Sequence, residues 1–322
     1  MKAALTTKAG GPEVIQIKEV AKPAPKDGWV TIKVKAFGLN RSELYTRQGH
    51  SPGVNFPIIQ GIECVGEVDH DPTESYQPGQ KVAAIMGGMG RQFDGGYAEY
   101  TRVPLRNVFP FESSLPWKTL GAIPEMFQTT AGSLLQALEI EKGETLLIRG
   151  GSSSIGMLAC QLGKYYGLTV ISTTRNPAKT SILQNNGADH VLIDDGQISN
   201  KVFGLYPNGV DKVLELVGTD TLKDSLNCIR SKGIVCMTGI LSGWTFKEFS
   251  PMESIPRMGR LTAYAGDAEN LEKVALQDFI DAVEQGILKL NIDRSYPFEQ
   301  IAAAHAYMES NQNAGKIVVE IA

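Results

Sequence analysis

An α/β chain in two parts is predicted: a β-rich unit and a doubly wound parallel sheet. Three observations predict it. Before Pro124, short strand-like runs are separated by Gly-Pro, Pro-Gly and Asp-Gly-Gly turns, which suits a β-rich, partly barrel-like unit. After Pro124, strand-like runs alternate with helical stretches, the rhythm of a parallel sheet with crossover helices. Residues 145–188 read strand, glycine/serine turn, helix and strand, and contain no aspartate or glutamate.

The first part offers strands at Val30–Ala36, Gly61–Val68 and Lys81–Met86. The second offers strands at 145–149, 169–173, 189–193, 211–216, 233–238 and 261–265. The first crossover helix carries Ile155, Leu158, Ala159, Leu162 and Tyr166 at helical spacing, one apolar face. From about 267 onward come helices at Leu271–Gln285 and Phe298–Glu309, then a last strand, Lys316–Ile321. That tail has no sheet of its own, so it is expected to return to the first part. The expected domains are 1–122, 123–266 and the returning 267–322.

Composition excludes several classes. With 42% hydrophobic and 20% charged residues, the 322-residue chain has an ordinary core-forming balance. A net charge of −4 and a pI near 5.7 argue against nucleic acid or an anionic membrane as main partner. No long apolar run predicts a transmembrane helix, and Met1-Lys2 opens directly on a strand-like segment without a signal-peptide pattern. Cys64, Cys160, Cys228 and Cys236 form no CxxC and have no histidine at ligand spacing, which suits structural thiols in a reducing cytoplasm. His50, His70, His190 and His305 are scattered and match no metal or nucleophile pattern, and no GxSxG elbow occurs.

The turn Gly150-Gly151-Ser152-Ser153-Ser154-Ile155-Gly156 is a degenerate GxGxxG with Ser153 at the middle glycine. Read alone it is a strand–helix turn. Placed after a strand and before an amphipathic helix, it is a dinucleotide site, with Ser152, Ser153, Ser154 and Ile155 against the pyrophosphate. The second strand ends in Ser172-Thr173-Thr174-Arg175, with Lys179 one turn later. An acid there would hold the ribose hydroxyls of NAD, whereas Thr174, Arg175 and Lys179 suit the 2′-phosphate of NADPH. Asn40-Arg41-Ser42-Glu43 reads as a capping-box variant, and Tyr45 as a packing residue beneath that helix. Both side chains are also hydrogen-bond donors suited to a substrate carbonyl.

The chain resembles the medium-chain dehydrogenase/reductase superfamily, in its zinc-free quinone oxidoreductase branch. The resemblance spans the chain: residues 2–49, then PIIQGIECVGEV, DGGYAEY, IPEMFQTTAGSLLQAL, GGSSSIG and NAGKIVVEI. It implies a GroES-like β-rich catalytic domain built from both ends of the chain and a central Rossmann domain. It implies that Asn40 and Tyr45 hydrogen-bond the acceptor's carbonyl oxygen. It also implies a homodimer, with Leu261–Ala265 as the pairing strand. The cysteine ligand and His-Glu pair of zinc alcohol dehydrogenases correspond here to Asn40 and Ile62-Glu63, and the four-cysteine lobe is missing, so no zinc is expected. Where enoyl-thioester reductases carry a tyrosine, this chain reads Gly49-His50-Ser51, which speaks against an acyl-thioester substrate.

The expected activity is therefore NADPH-dependent hydride transfer to a quinone or an α,β-unsaturated carbonyl. Thr130 and Gly239-Ile240 are expected near the nicotinamide half of the cofactor, and the loop Met86–Phe93 along the acceptor pocket. Two alternatives stay open: an enoyl or alkenal reductase without quinone activity, and a non-catalytic NADPH-binding regulatory protein.

Overall fold

The computed structural model describes residues 1–256, 258–270 and 273–322. They form two compact units, Gln128–Gly266 and Met1–Phe127 with Asp267–Ala322.

The Gln128–Gly266 unit is built on six parallel strands: β1 (Thr145–Arg149), β2 (Thr169–Thr174), β3 (His190–Ile193), β4 (Val210–Glu215), β5 (Ile229–Met237) and β6 (Arg260–Ala263). Their order is β3-β2-β1-β4-β5-β6, so the sheet runs outward in both directions from β1. Doubly wound dinucleotide-binding sheets have this order, with their ligand at the carboxyl ends where it reverses. The register aligns Ile171, Leu147, Val213 and Val235 in one row across the sheet. Ile198, Val202, Leu222 and Leu226 cover that row. Each such side chain, fully buried, contributes roughly 1.5–3 kcal/mol.

Helix Ser154–Tyr165 links β1 to β2 and buries Met157, Leu158, Ala159, Leu162 and Gly163. The face expected to extend to Tyr166 stops short of it: Tyr166 is 37% exposed. Tyr166 is already the C-cap, past the last helical residue, and Gly163 packs against the sheet. A Cβ there would lie 2.9 Å from Val170 and 3.3 Å from Leu146, so a bare backbone is what packs on the sheet. The chain then leaves the helix through Gly167, at φ +80.

In the other unit, seven strands form one mixed sheet. In space they run Ile292–Pro297, Lys316–Glu320, Trp29–Gly38, Glu63–His70, Lys81–Ile85 and Val108–Pro110, with Tyr100–Pro104 also on Trp29–Gly38. Ile15–Glu19, Lys2–Thr6 and Ile58–Ile59 form a three-stranded sheet. The tail does return: Val318 pairs with Gly38 and Val319 with Phe37, antiparallel. Before it, the two tail helices are Lys273–Glu284 and, after the 3-10 turn Phe298–Gln300, Ile301–Glu309. The expected start of the first of these, at Leu271, lies outside the described residues.

Trp29–Gly38 is the hub of this sheet, and Glu63–His70 approaches it closely at Gly66, opposite Val34. A Cβ on Gly66 would sit 2.1 Å from the Lys33 carbonyl oxygen, and backbone on both sides leaves nothing to yield. Gly66→Ala is therefore predicted to destabilise the protein by about 3 kcal/mol, read as a lowered urea midpoint. An unchanged midpoint would refute the close approach.

Candidate functional site

The glycine/serine turn grows out of β1. Gly150 takes φ +88, a conformation open to glycine. Its N–H donates to Thr173 Oγ1 at 3.1 Å, and the Gly151 N–H donates to the Thr173 carbonyl at 3.0 Å. A Cβ on Gly151 would fall 1.8 Å from Ser172 Oγ, and one on Gly156 would fall 2.6 Å from the Gly150 carbonyl oxygen. The two outer glycines of the motif are thus required by contact.

The middle position is serine for a different reason. Ser153 is the N-cap of helix Ser154–Tyr165: its Oγ accepts the Gly156 N–H at 3.0 Å and donates to the Gly150 carbonyl at 2.9 Å. Of the three serines, Ser153 closes the turn with its hydroxyl, while Ser152 and Ser154 are half-buried at the helix start. The Ser154 and Ile155 amides lie among the N–H groups that a helix start leaves without intrahelical acceptors. Backbone amides at a helix start of this kind suit an anion such as a pyrophosphate.

At the end of β2, Thr174 is buried and its hydroxyl accepts the Asn176 N–H at 3.1 Å, so it shapes the turn. Arg175 is exposed at the tip and makes no ion pair among the described residues, and Lys179 ends the 3-10 turn Pro177–Lys179. One loop therefore carries all three residues expected at a 2′-phosphate.

Two acids reach this corner from β3, which the acid-free 145–188 stretch does not disclose. The Asp194 N–H donates to the Thr174 carbonyl at 2.9 Å. Its carboxylate is held bidentately by Arg149 at 2.9 Å for both contacts, and the same guanidinium reaches Asp224 at 2.7 Å. Burial is the largest influence and works to raise the Asp194 carboxyl, but the Arg149 hydrogen bonds and charge, the Gly196 N–H and the Thr173 hydroxyl together outweigh it and hold the group below the usual carboxylate range. Asp195 pairs with Lys201 at 2.6 Å. Both negative charges are matched locally, which leaves the Arg175 side chain available for an anion.

At the carboxyl ends of the central strands, the Gly239 N–H donates to the Glu215 carbonyl at 3.0 Å. A Cβ on Gly239 would lie 1.8 Å from the Leu216 carbonyl oxygen, so the chain passes there as glycine, with Ile240 half-buried beside it. Thr130 is fully buried near the end of helix Pro124–Ala131. That segment is tied to the strand ends by Ser133 and Thr238, whose hydroxyls are 2.8 Å apart, and by Gln128 donating to Tyr264 Oη at 2.9 Å.

In the other unit, Asn40 caps helix Arg41–Arg47: its N–H donates to the Glu43 carboxylate at 2.7 Å, as the capping-box pattern predicts. Its side-chain amide has further work. Nδ2 donates to Glu63 Oε1 at 2.9 Å, and Oδ1 accepts from Lys316 Nζ at 2.6 Å. Lys316 and Glu63 are a buried ion pair at 2.8 Å, with Glu125 3.4 Å from the same ammonium. Tyr45 is half-buried on the same helix, packs on the unit's core and has its ring 6.5 Å from that of His50.

Zinc does not fit this place. The positions where zinc enzymes carry cysteine and histidine hold an amide and Ile62, and a lysine ammonium already occupies the carboxylate. A divalent cation beside that ammonium would be repelled and would lack thiolate or imidazole ligands. Among the described residues no three His, Cys, Asp or Glu side chains are grouped to hold a metal.

Comparison with known proteins agrees with this architecture. Residues 26–113 match the alcohol dehydrogenase GroES-like domain, and residues 186–319 match the zinc-binding dehydrogenase family model. The chain is 28% identical to quinone oxidoreductase of Sus scrofa, covering 99% of this chain and 97% of that protein. It is 25% identical to 2-haloacrylate reductase of a Burkholderia species, covering 98% of each. Among solved structures, Escherichia coli quinone oxidoreductase complexed with NADPH superposes with a TM-score of 0.89 at 21% identity, covering 99% of this chain and 100% of that one. The chain belongs to the medium-chain dehydrogenase/reductase superfamily, in its quinone oxidoreductase branch.

The helix that presents Asn40 and Tyr45 rests on a buried carboxyl that sequence reasoning read only as a cap. Glu43 accepts from Tyr97 Oη at 2.7 Å and from the Ile62 N–H at 2.8 Å; Tyr97 Oη is also 3.1 Å from His305 Nε2. Burial pushes the Glu43 carboxyl up to about 7, against those hydrogen bonds, with Glu63 adding to the rise. An unfolded glutamate titrates near about 4.3, so between there and about 7 the folded protein binds the extra proton. Stability should therefore fall as pH rises through this window. Glu43→Gln is predicted to flatten that decline, measured as urea midpoints at about pH 5 and about pH 7.5. The same pH dependence in both proteins would contradict the assignment.

Proposed function

We propose that the protein is an NADPH-dependent oxidoreductase that passes hydride to a quinone or an α,β-unsaturated carbonyl without a metal ion. The observation that carries this reading is the corner after β2, where Thr174, Arg175 and Lys179 share one loop beside a glycine cradle and the neighbouring acids are paired to other cations. Relatives named quinone oxidoreductase and 2-haloacrylate reductase support an acceptor class running from quinones to activated alkenes. The Escherichia coli structure, a complex with NADPH, supports the coenzyme.

NADPH, when bound, supplies the hydride. The amides and hydroxyls of Ser152, Ser153, Ser154 and Ile155 hold the pyrophosphate, Ser153 through the turn it caps. Arg175 and Lys179 hold the 2′-phosphate, with Thr174 fixing the loop. Thr130 and Gly239-Ile240 line the nicotinamide half. Charge-assisted hydrogen bonds of roughly 1.5–3 kcal/mol each favour the phosphorylated coenzyme by tenfold or more.

For the acceptor, Asn40 Nδ2 and Tyr45 Oη donate to the carbonyl oxygen, whose negative charge grows as hydride arrives. One Nδ2 hydrogen is taken by Glu63, and an amide has a second for the acceptor. Tyr45 or water gives the final proton. A quinone needs little acid assistance, which suits a site whose buried carboxylates are already engaged by Lys316, Tyr97 and backbone amides. The loop Met86–Phe93 is read as acceptor-lining.

We further read the protein as a cytoplasmic homodimer. Its four cysteines are free and buried, and burial raises the thiol pKa values, which keeps them inert. Among the described residues no helix is long and apolar enough to cross a membrane. Strand β6 is an edge of its sheet, the place for a second copy to pair.

Arg175→Ala is predicted to weaken NADPH binding by about tenfold or more while leaving NADH nearly unchanged. Equal losses for both, by fluorescence titration, would refute the phosphate contact. Tyr45→Phe is predicted to lower turnover of 9,10-phenanthrenequinone and spare coenzyme affinity, and an unchanged rate returns Tyr45 to packing alone. Turnover of a medium-chain enone without the quinone would favour the alkenal reductase reading. Tight NADPH binding with no turnover of either acceptor would favour a regulatory protein.

A further inference from the structure

We propose that Lys316, paired with Glu63, is a positioning residue that sets the orientation of the Asn40 amide and strengthens it as a donor to the acceptor. The inference rests on the reading of Asn40 as a carbonyl-binding group and adds what aims it.

An asparagine amide has two faces of similar shape, and its neighbours decide which atom points where. An ammonium only donates and a carboxylate only accepts. Lys316 Nζ, 2.6 Å from one side, therefore requires Oδ1 there, and Glu63 Oε1, 2.9 Å from the other, requires Nδ2. Flipping the amide would set NH2 against ammonium and oxygen against carboxylate, losing two charge-assisted hydrogen bonds at once. The amide plane is thereby locked, and its second Nδ2 hydrogen has one direction. A cation on Oδ1 also draws density from the amide nitrogen, which makes that hydrogen a better donor.

The surroundings are built for the pair. Lys316 is 1% exposed and Glu63 fully buried, so little water competes. Gly38 leaves them room: a Cβ there would lie 2.2 Å from Lys316 Cε and 2.5 Å from Glu63 Oε1. The Glu125 N–H donates to Glu63 Oε2 at 2.8 Å, holding the second carboxylate oxygen. Burial opposes the Lys316 charge, but Glu63 and Glu125 outweigh it and raise the ammonium's pKa above the ordinary lysine value. Stability alone does not explain such a pair, because apolar residues of similar volume often hold a core as well or better. Aiming an amide does need charges of fixed sign.

The test compares Lys316→Met, Lys316→Arg and the charge-neutral double variant Lys316→Met/Glu63→Gln, in the wild-type and Asn40→Ala backgrounds. The double variant removes the Glu63 carboxylate together with its cation and carries the test if Lys316→Met alone does not fold. With NADPH and 9,10-phenanthrenequinone, Lys316→Met and the double variant should lower kcat by at least about tenfold, with little change in NADPH dissociation constant. Lys316→Arg should restore much of the loss. In the Asn40→Ala background the same changes should alter kcat by less than about twofold. An equal loss in both backgrounds overturns the proposal, since Lys316 would then act independently of Asn40. If the wild-type protein reduces neither quinone nor enone, the reductase reading fails on its own. The Asn40 side-chain amide protons, followed by NMR, then decide the positioning. They should exchange slowly with water in the wild type and fast in the double variant, and unchanged exchange overturns it.

Discussion

One buried guanidinium organises the end of the parallel sheet on which the functional reading depends. Arg149 is the last residue of β1, immediately before the glycine turn, and its side chain is fully buried. It binds Asp194 beyond β3 and Asp224 in helix Thr219–Leu226, and it also donates to the Thr221 carbonyl at 3.1 Å. A buried charge of this kind is tolerable only when its partners satisfy it fully, and removing one partner typically costs about 3–5 kcal/mol. The network joins the end of β1, the residue that follows β3 and the helix that follows β4. It also matches the charge of Asp194, so an acid beside Thr174 does not oppose an incoming phosphate.

The glycine turn shows how contact dictates sequence. Gly151 and Gly156 are excluded from carrying side chains by Ser172 and by the turn's own backbone, while the middle position is free to be serine because its hydroxyl caps the helix. A motif match that looks degenerate on paper is mechanically complete in the fold. In the other unit, the Lys316 ammonium is held by Asn40, Glu63 and Glu125, so this buried place is built from hydrogen bonds and charge pairs.

Much of this was legible in the sequence, because the signals were local. The six strands of the parallel sheet fall within a few residues of their expected places, and the returning tail followed from a strand that lacked neighbours. The cap at Asn40 was visible as Asn-x-x-Glu. What stayed hidden depends on long-range pairing. Lys316 meets Asn40 across 276 positions of sequence, and only the antiparallel pairing of Val318 with Gly38 brings them together. Asp194 reaches Thr174 through parallel pairing of β3 with β2 and was invisible to a reading confined to one βαβ segment. Tyr166 misled because helical spacing marks a face without saying where a helix ends, and Gly167 ends this one.

The central claim is electrostatic: we propose that a corner whose acids are paired, and whose Arg175 makes no ion pair among the described residues, is shaped for a phosphorylated adenosine ribose. The most direct test is a fluorescence titration of the purified wild-type protein with NADPH and with NADH at the same ionic strength. The account predicts a dissociation constant at least about tenfold lower for NADPH. Equal affinity, or tighter binding of NADH, would contradict it.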